Sequence, residues 1–215
     1  MTSAGESRLP LADLCHFLKT LFPELALFPE LLAHSIKTAR YACQISRVLR
    51  SGRPYVLFMA GAFHDVGKLM IPRSILEKPG PLTKGEWEIM ALHPIWSCEA
   101  LKSRCHRVVS LDSILAVIKA HHEAWDGTGY PEGAKGYCIP VEARILAIAD
   151  VLDALTSPRP YRSPLKLEEA LKTMEEMAGK KLDPLLFEKV RSSLPTFQGA
   201  KEESFPCQGE ERSAV

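Results

Sequence analysis

The sequence predicts an all-α fold, a bundle of helices with a metal centre in its core. Apolar residues recur at helical spacing along most of the 215-residue chain, and no stretch sustains strand-type alternation. Residues 55–63 are apolar on every side, which marks a buried central helix. His and Asp residues recur at positions that this pattern assigns to the interior, where they need partners.

The elements follow in order. Residues 9–21 read as a short helix closed by Pro23. A longer helix is expected over 29–49, with Pro29 in its first turn, where a missing N–H costs nothing, and Gly52 just past its end. Pro54 opens the buried helix. Residues 71–81 hold three prolines and a glycine and read as an irregular connection. Thr83 and Glu86 form a capping-box pair for a helix expected to reach about Ser103. Another helix covers 111–123, a Gly- and Pro-rich loop 126–140, and Pro140 starts a helix running to Thr156. Helices over 165–178 and 184–193 complete the pattern. From Gln198 the chain is polar and short of large apolar residues, as a disordered tail is. The expected partition is a helical extension over 1–29, the main domain over 30–195 and the tail over 196–215.

Composition narrows the class. A 46% hydrophobic, 25% charged chain of this length suits one soluble globular domain. Its net charge of +1 argues against a nucleic-acid polymer or a membrane surface as partner, so an anionic ligand must be held by a local site. Six cysteines without a CxxC pair argue against a zinc ribbon or a disulfide framework and for reduced thiols. Glu6 and Asp13 interrupt any signal-peptide core, and no apolar run approaches the roughly 20 residues of a membrane span, so the cytoplasm is expected.

His64 and Asp65 close the buried helix. Alone, they read equally as a core histidine beside a capping aspartate or as metal ligands. His121-His122-Glu123 follows the apolar stripe Leu111, Ile114, Leu115, Ile118, so both histidines emerge on or beside the buried face. His34 lies one turn after Glu30 on the long helix, a pair that an exposed helix face would also explain. His93 precedes Pro94. Asp150 and Asp153 interrupt an otherwise apolar helix, where metal ligation or buried capping would account for them. Imidazole and carboxylate from five helices suffice for two or more ions, and such sites clamp the attacking and leaving oxygens of an in-line displacement at phosphorus.

The ordered set His64-Asp65-Val66-Gly67-Lys68, His121-His122-Glu123 and Asp126-Gly127-Thr128-Gly129-Tyr130-Pro131 resembles the HD-GYP branch of the HD superfamily of metal phosphohydrolases. The resemblance continues through Ala143-Arg144-Ile145, Ala149-Asp150-Val151 and Asp153-Ala154-Leu155-Thr156-Ser157 to Arg159-Pro160-Tyr161-Arg162, and covers about residues 30–190. It implies an HD-type helical bundle that hydrolyses cyclic di-GMP to linear pGpG or GMP with two or three divalent transition-metal ions, Fe or Mn. It also implies metal ligation by His34, His64, Asp65, His93, His121, His122 and Asp150, with Glu30 at the place of an extra acidic ligand for a third ion. His64, Asp65 and Lys68 become the catalytic residues. Lys68, Arg159 and Arg162 become substrate contacts, while Tyr130 either packs on a nucleobase or anchors its loop. Regulatory or diguanylate-cyclase-type proteins, or a second copy of the chain, are the implied protein partners. Two alternatives stay open: the same chemistry on another cyclic dinucleotide or nucleotide, and a catalytically silent binding module. The apolar residues Leu14, Phe17, Leu18, Leu21 and Phe22 either pack on the core or form a dimer contact.

Overall fold

In the computed structural model, which describes residues 8–9, 11–105, 108–158, 163–197 and 205–206, helices begin and end largely where proline and glycine dictate. Leu11–Leu21 forms α1, followed by a 3-10 turn over Pro23–Leu27. Pro29–Leu49 forms α2 and stops on Arg50, which takes the left-handed conformation at φ 49° and so turns the chain out of the helix. Pro54–Phe63 forms α3, with every residue from Val56 on buried.

Residues 71–81 are less irregular than expected: Arg73–Leu76 makes a single helical turn, α4. The helix expected from Thr83 to Ser103 is two helices, Lys84–Met90 (α5) and His93–Arg104 (α6). The break has a local cause. Pro94 has no N–H to donate to the Met90 carbonyl, and its ring crowds that turn. The next helix, α7, covers Leu111–Ala120 and ends three residues early, leaving His121 and His122 in the turn beyond it. Val141–Thr156 (α8), Leu167–Met177 (α9), Pro184–Arg191 (α10) and Leu194–Phe197 (α11) complete the helices. Among the described residues the only strand pairing is Arg8–Leu9 (β1) against Phe205–Pro206 (β2), antiparallel and two residues long. Most of the expected polar tail lies outside the described residues.

α3 is the axis of the core, packed between α2, α7 and α8. Its closest neighbour is α2. A Cβ on Gly61 would lie 2.6 Å from the Ala39 Cα, so only glycine allows the two backbones to meet there. Leu14, Leu18 and Phe22 belong to this same core, with Phe22 5.8 Å from the Phe63 ring, so the amino-terminal segment packs inward. Arg104 fastens it from the other side, donating to the Leu21 carbonyl and pairing with Glu24. At the opposite end Phe187, Val190, Leu194 and Phe197 are buried, and Arg40 donates to the Phe197 carbonyl. No helix among the described residues is long and apolar enough to cross a membrane.

Candidate metal centre

Four of the predicted histidines share one design. His64 donates its Nδ1–H to the Gly61 carbonyl at 2.8 Å, His93 to Met90 at 2.8 Å, and His121 to Ile118 at 2.6 Å. Each acceptor lies three residues upstream, at or beside a helix end. For His93 it is the very carbonyl that Pro94 leaves without its helical donor. The fourth, His34, uses the Asp153 carboxylate instead, at 2.6 Å. A carbonyl or carboxylate can only accept, so every ring carries a proton on Nδ1 and turns its Nε2 inward; on His64 and His121, which burial keeps neutral, that Nε2 is a bare lone pair.

These Nε2 atoms converge on Asp65. Its Oδ1 lies 3.2 Å from His93 Nε2, and its Oδ2 lies 3.5 Å from both His34 Nε2 and His64 Nε2. Asp150 Oδ1 stands 3.2 Å from His34 Nε2 and 4.0 Å from His64 Nε2. Two ligand groups result. One is Asp65, His93, His121 and His122; the other is His34, His64 and Asp65. Asp65 belongs to both.

The arrangement asks for cations. His93 Nε2 and His121 Nε2 face each other at 3.3 Å while both rings bond a carbonyl through Nδ1, an arrangement that a positive ion between them would satisfy. His64 Nε2 and Asp65 Oδ1 are buried without a hydrogen-bond donor. Imidazole and carboxylate are donors that suit divalent iron, manganese or zinc, so the residues present fit such ions.

Electrostatics keeps the ligands ready. Burial lowers the His64 and His121 pKa values and pushes His122 down to about 3, so these rings stay neutral. Burial opposes ionisation of Asp65, but the Lys68 ammonium outweighs it and holds the carboxyl well below its ordinary range. For Asp150 the same opposition is outweighed by His34. Burial also works against protonating His34, yet its hydrogen bonds with Asp150 and Asp153 carry it up to about 9.

The HD-domain family model matches residues 19–186. The chain belongs to the HD-domain family. Its Gly129-Tyr130-Pro131 loop makes it an HD-GYP member. The cyclic di-GMP phosphodiesterase response regulator RpfG of Xanthomonas campestris is 43% identical over 129 residues, 60% of this chain and 34% of that one. The 3'3'-cGAMP-specific phosphodiesterase 3 of Vibrio cholerae is 33% identical over 195 residues, 88% of this chain and 42% of that one. This HD-domain chain therefore spans about a third to two-fifths of the length of these relatives. Among solved structures, an HDG"Y"P protein from Bdellovibrio bacteriovorus shares the fold with a TM-score of 0.61 at 17% identity, over 77% of this chain and 52% of that one.

The HD-GYP loop folds directly onto the centre. A Cβ on Gly129 would fall 2.2 Å from the Ala124 nitrogen, so glycine alone permits the close return. Tyr130 then donates its backbone N–H to the His122 carbonyl at 3.2 Å and stacks its ring on the His122 imidazole, centroids 4.8 Å apart. Buried Glu123 clamps the returning strand of the loop by accepting the Glu132 and Ala134 amides at 2.7 and 2.9 Å. Trp87, half exposed, meets Tyr130 edge-on at 5.5 Å.

Lys68 reaches in from the 3-10 turn over Val66–Met70 and donates to Asp65 Oδ2 at 2.6 Å. Glu30 is exposed near the start of α2 and belongs to neither ligand group; it lines two cavities, one shared with Lys68 and one with His34 and Asp153. Arg159 and Arg162 lie outside the described residues. Arg144 pairs with Asp183 at 2.6 Å and donates to the Ile139 carbonyl, a structural tie. Sequence reasoning missed Ser97. Its buried hydroxyl donates to the His64 carbonyl at 2.6 Å and accepts the Gly67 amide at 2.8 Å, fastening α6 to the His64-Asp65 turn. A lone serine in a helix carries no signal of that role.

Proposed function

We propose that this chain is a metal-dependent phosphodiesterase that hydrolyses cyclic di-GMP to linear pGpG or GMP. The observation that supports it most is the single carboxylate, Asp65, joining two histidine groups beside a lysine. When bound, divalent ions supply Lewis acidity and a water acidified enough to attack phosphorus near neutral pH. His34, His64, His93, His121, His122, Asp65 and Asp150 would hold two such ions, Fe or Mn, with Glu30 a ligand for a third.

The chain's own residues do the rest. Lys68 presents an ammonium point charge at the edge of the centre, suited to a phosphodiester oxygen on which charge accumulates. Arg159 and Arg162 add planar donor forks for phosphate or guanine. The carbonyl-locked rings cannot rotate away from the centre, so the ligand set is organised before substrate arrives. The loop from Gly129 to Pro131 shields the His122 side from water. Recruitment of regulatory or diguanylate-cyclase-type proteins, and pairing with a second copy, are consistent with this signalling role.

The test is turnover of cyclic di-GMP with Mn²⁺ or Fe²⁺, with bound metal counted in parallel. His64→Ala and Asp65→Ala are expected to lose both metal and activity. Equal turnover in wild type and variants, or wild-type protein that takes up no metal, refutes the reading. The match to the Vibrio 3'3'-cGAMP-specific phosphodiesterase 3, which takes in 88% of this chain, favours one second reading, 3'3'-cGAMP as substrate, so both dinucleotides belong in the assay.

A further inference from the structure

A cavity of about 450 Å³ opens beside Lys68, and the proposed chemistry leaves most of its lining unused. Phe28, Leu31 and Leu76 give it an apolar wall. Its polar groups are Lys68 and the carboxylates of Glu30 and Glu77. Arg73 lies 4.9 Å over the Phe28 ring and holds the Glu77 carboxylate by its Nε at 3.2 Å, so one side chain ties the acid to the aromatic wall.

We infer that this cavity receives one guanine base of the substrate, and that Glu77 reads its Watson–Crick edge. The inference rests on the cyclic dinucleotide reading above. Lys68 marks the phosphate end, because the same ammonium bonds Asp65 in the centre. The Glu77 carboxylate in the lining repels a phosphate, so the part of a nucleotide that fits beside it is its base. An apolar wall with a few placed polar groups, in a volume of several hundred Å³, is the usual make-up of such a pocket. Guanine offers two adjacent donors, N1–H and the exocyclic N2–H, which a carboxylate accepts together. Adenine offers one donor and one acceptor, and its N1 lone pair would face a carboxylate oxygen. Glu77 is thus the specificity-determining residue. It is half exposed, so discrimination of about tenfold, rather than the far larger factors of a sealed site, is expected.

The experiment measures binding of hydrolysis-resistant phosphorothioate analogues of cyclic di-GMP and cyclic di-AMP to the metal-loaded protein. Wild type should prefer the guanine analogue. Glu77→Gln presents one donor and one acceptor, and should cut that preference by up to about tenfold. Leu76→Trp fills the cavity and should weaken both analogues. An unchanged guanine-to-adenine ratio in Glu77→Gln, or wild-type affinity in Leu76→Trp, overturns the assignment. Turnover of cyclic di-GMP by the wild type is scored separately. Turnover with an unchanged ratio rejects the base pocket alone, whereas guanine-selective binding without turnover rejects the phosphodiesterase reading alone.

Discussion

Replacing Asp153 with alanine removes the carboxylate that orients His34, where His64, His93 and His121 bond backbone carbonyls instead. His34 gives its Nδ1–H to Asp153 Oδ2 at 2.6 Å, and Ser157 gives its hydroxyl to Oδ1 at 2.7 Å, with Lys37 3.8 Å away. Both direct bonds go to an ionised, buried acceptor, and each such bond contributes about 1.5–3 kcal/mol. Their joint loss should cost about 3–5 kcal/mol, which for a chain of this size lowers Tm by roughly 10 °C. The effect on metal is more specific. An imidazole freed from its carboxylate loses both its fixed tautomer and its orientation, and comparable losses weaken metal binding about 10–100-fold. The His34, His64, Asp65 group should bear that loss while the His93, His121, His122 group keeps its ion. Titration of metal-free protein with Mn²⁺ should therefore resolve two tight equivalents in wild type, and one tight and one weakened in Asp153→Ala. Asp153→Asn retains a carbonyl acceptor for Nδ1 and should restore much of the second equivalent. Two wild-type equivalents in the alanine variant would show that Asp153 does not position His34.

Two further perturbations test the scaffold. Gly61→Ala drives a methyl to within 2.6 Å of the Ala39 Cα and should separate α2 from α3 at a cost of about 1–3 kcal/mol; denaturant unfolding reads the stability and metal content the displaced ligands, and an unchanged midpoint would contradict the close approach. Glu142 accepts from the Arg53 side chain at 2.9 Å, and although burial opposes its ionisation this pairing lowers its pKa below 4.5. A lowered folded-state pKa means stability present above the unfolded value and lost as pH falls through the folded one. Glu142→Gln should therefore be less stable than wild type by about 1 kcal/mol or less at neutral pH, since Arg53 is half exposed, and the gap should close in acid. A gap that widens in acid would refute the assignment.

The long periodic segments were legible because burial writes itself into the pattern. Residues 54–63 read as a buried helix and are one; Pro29 and Pro54 mark their helix starts directly. The centre was legible for a related reason. A His or Asp inside an apolar pattern conflicts with its surroundings, and that conflict pointed to His64, Asp65, His121, His122 and Asp150, whereas His34 entered through the family resemblance. Hidden were the features that depend on who sits opposite. Ser97 looks like any helical serine until α6 is placed against the His64-Asp65 turn. The split between α5 and α6 was available in Pro94, but a proline two residues into a helix is favourable, so the residue alone does not say whether it starts or interrupts one. Glu30 shows the converse: its spacing from His34 sets both on one side of α2, yet spacing does not fix how deep a side chain reaches.

The Nδ1 bonds of His64, His93 and His121 have a consequence for how the protein behaves without its ions. These rings would brace helix ends as well as hold ions, because the carbonyls they bond lie at or beside the ends of α3, α5 and α7. Pulling a ring toward an ion tightens the end of a helix, and fraying that end lets the ring turn. Metal loading and the order of three helix termini are thus one equilibrium. With Asp65 common to both ligand groups, the metal-free protein should differ from the loaded one at the ends of α3, α5 and α7 together, while the buried length of α3 stays as it is.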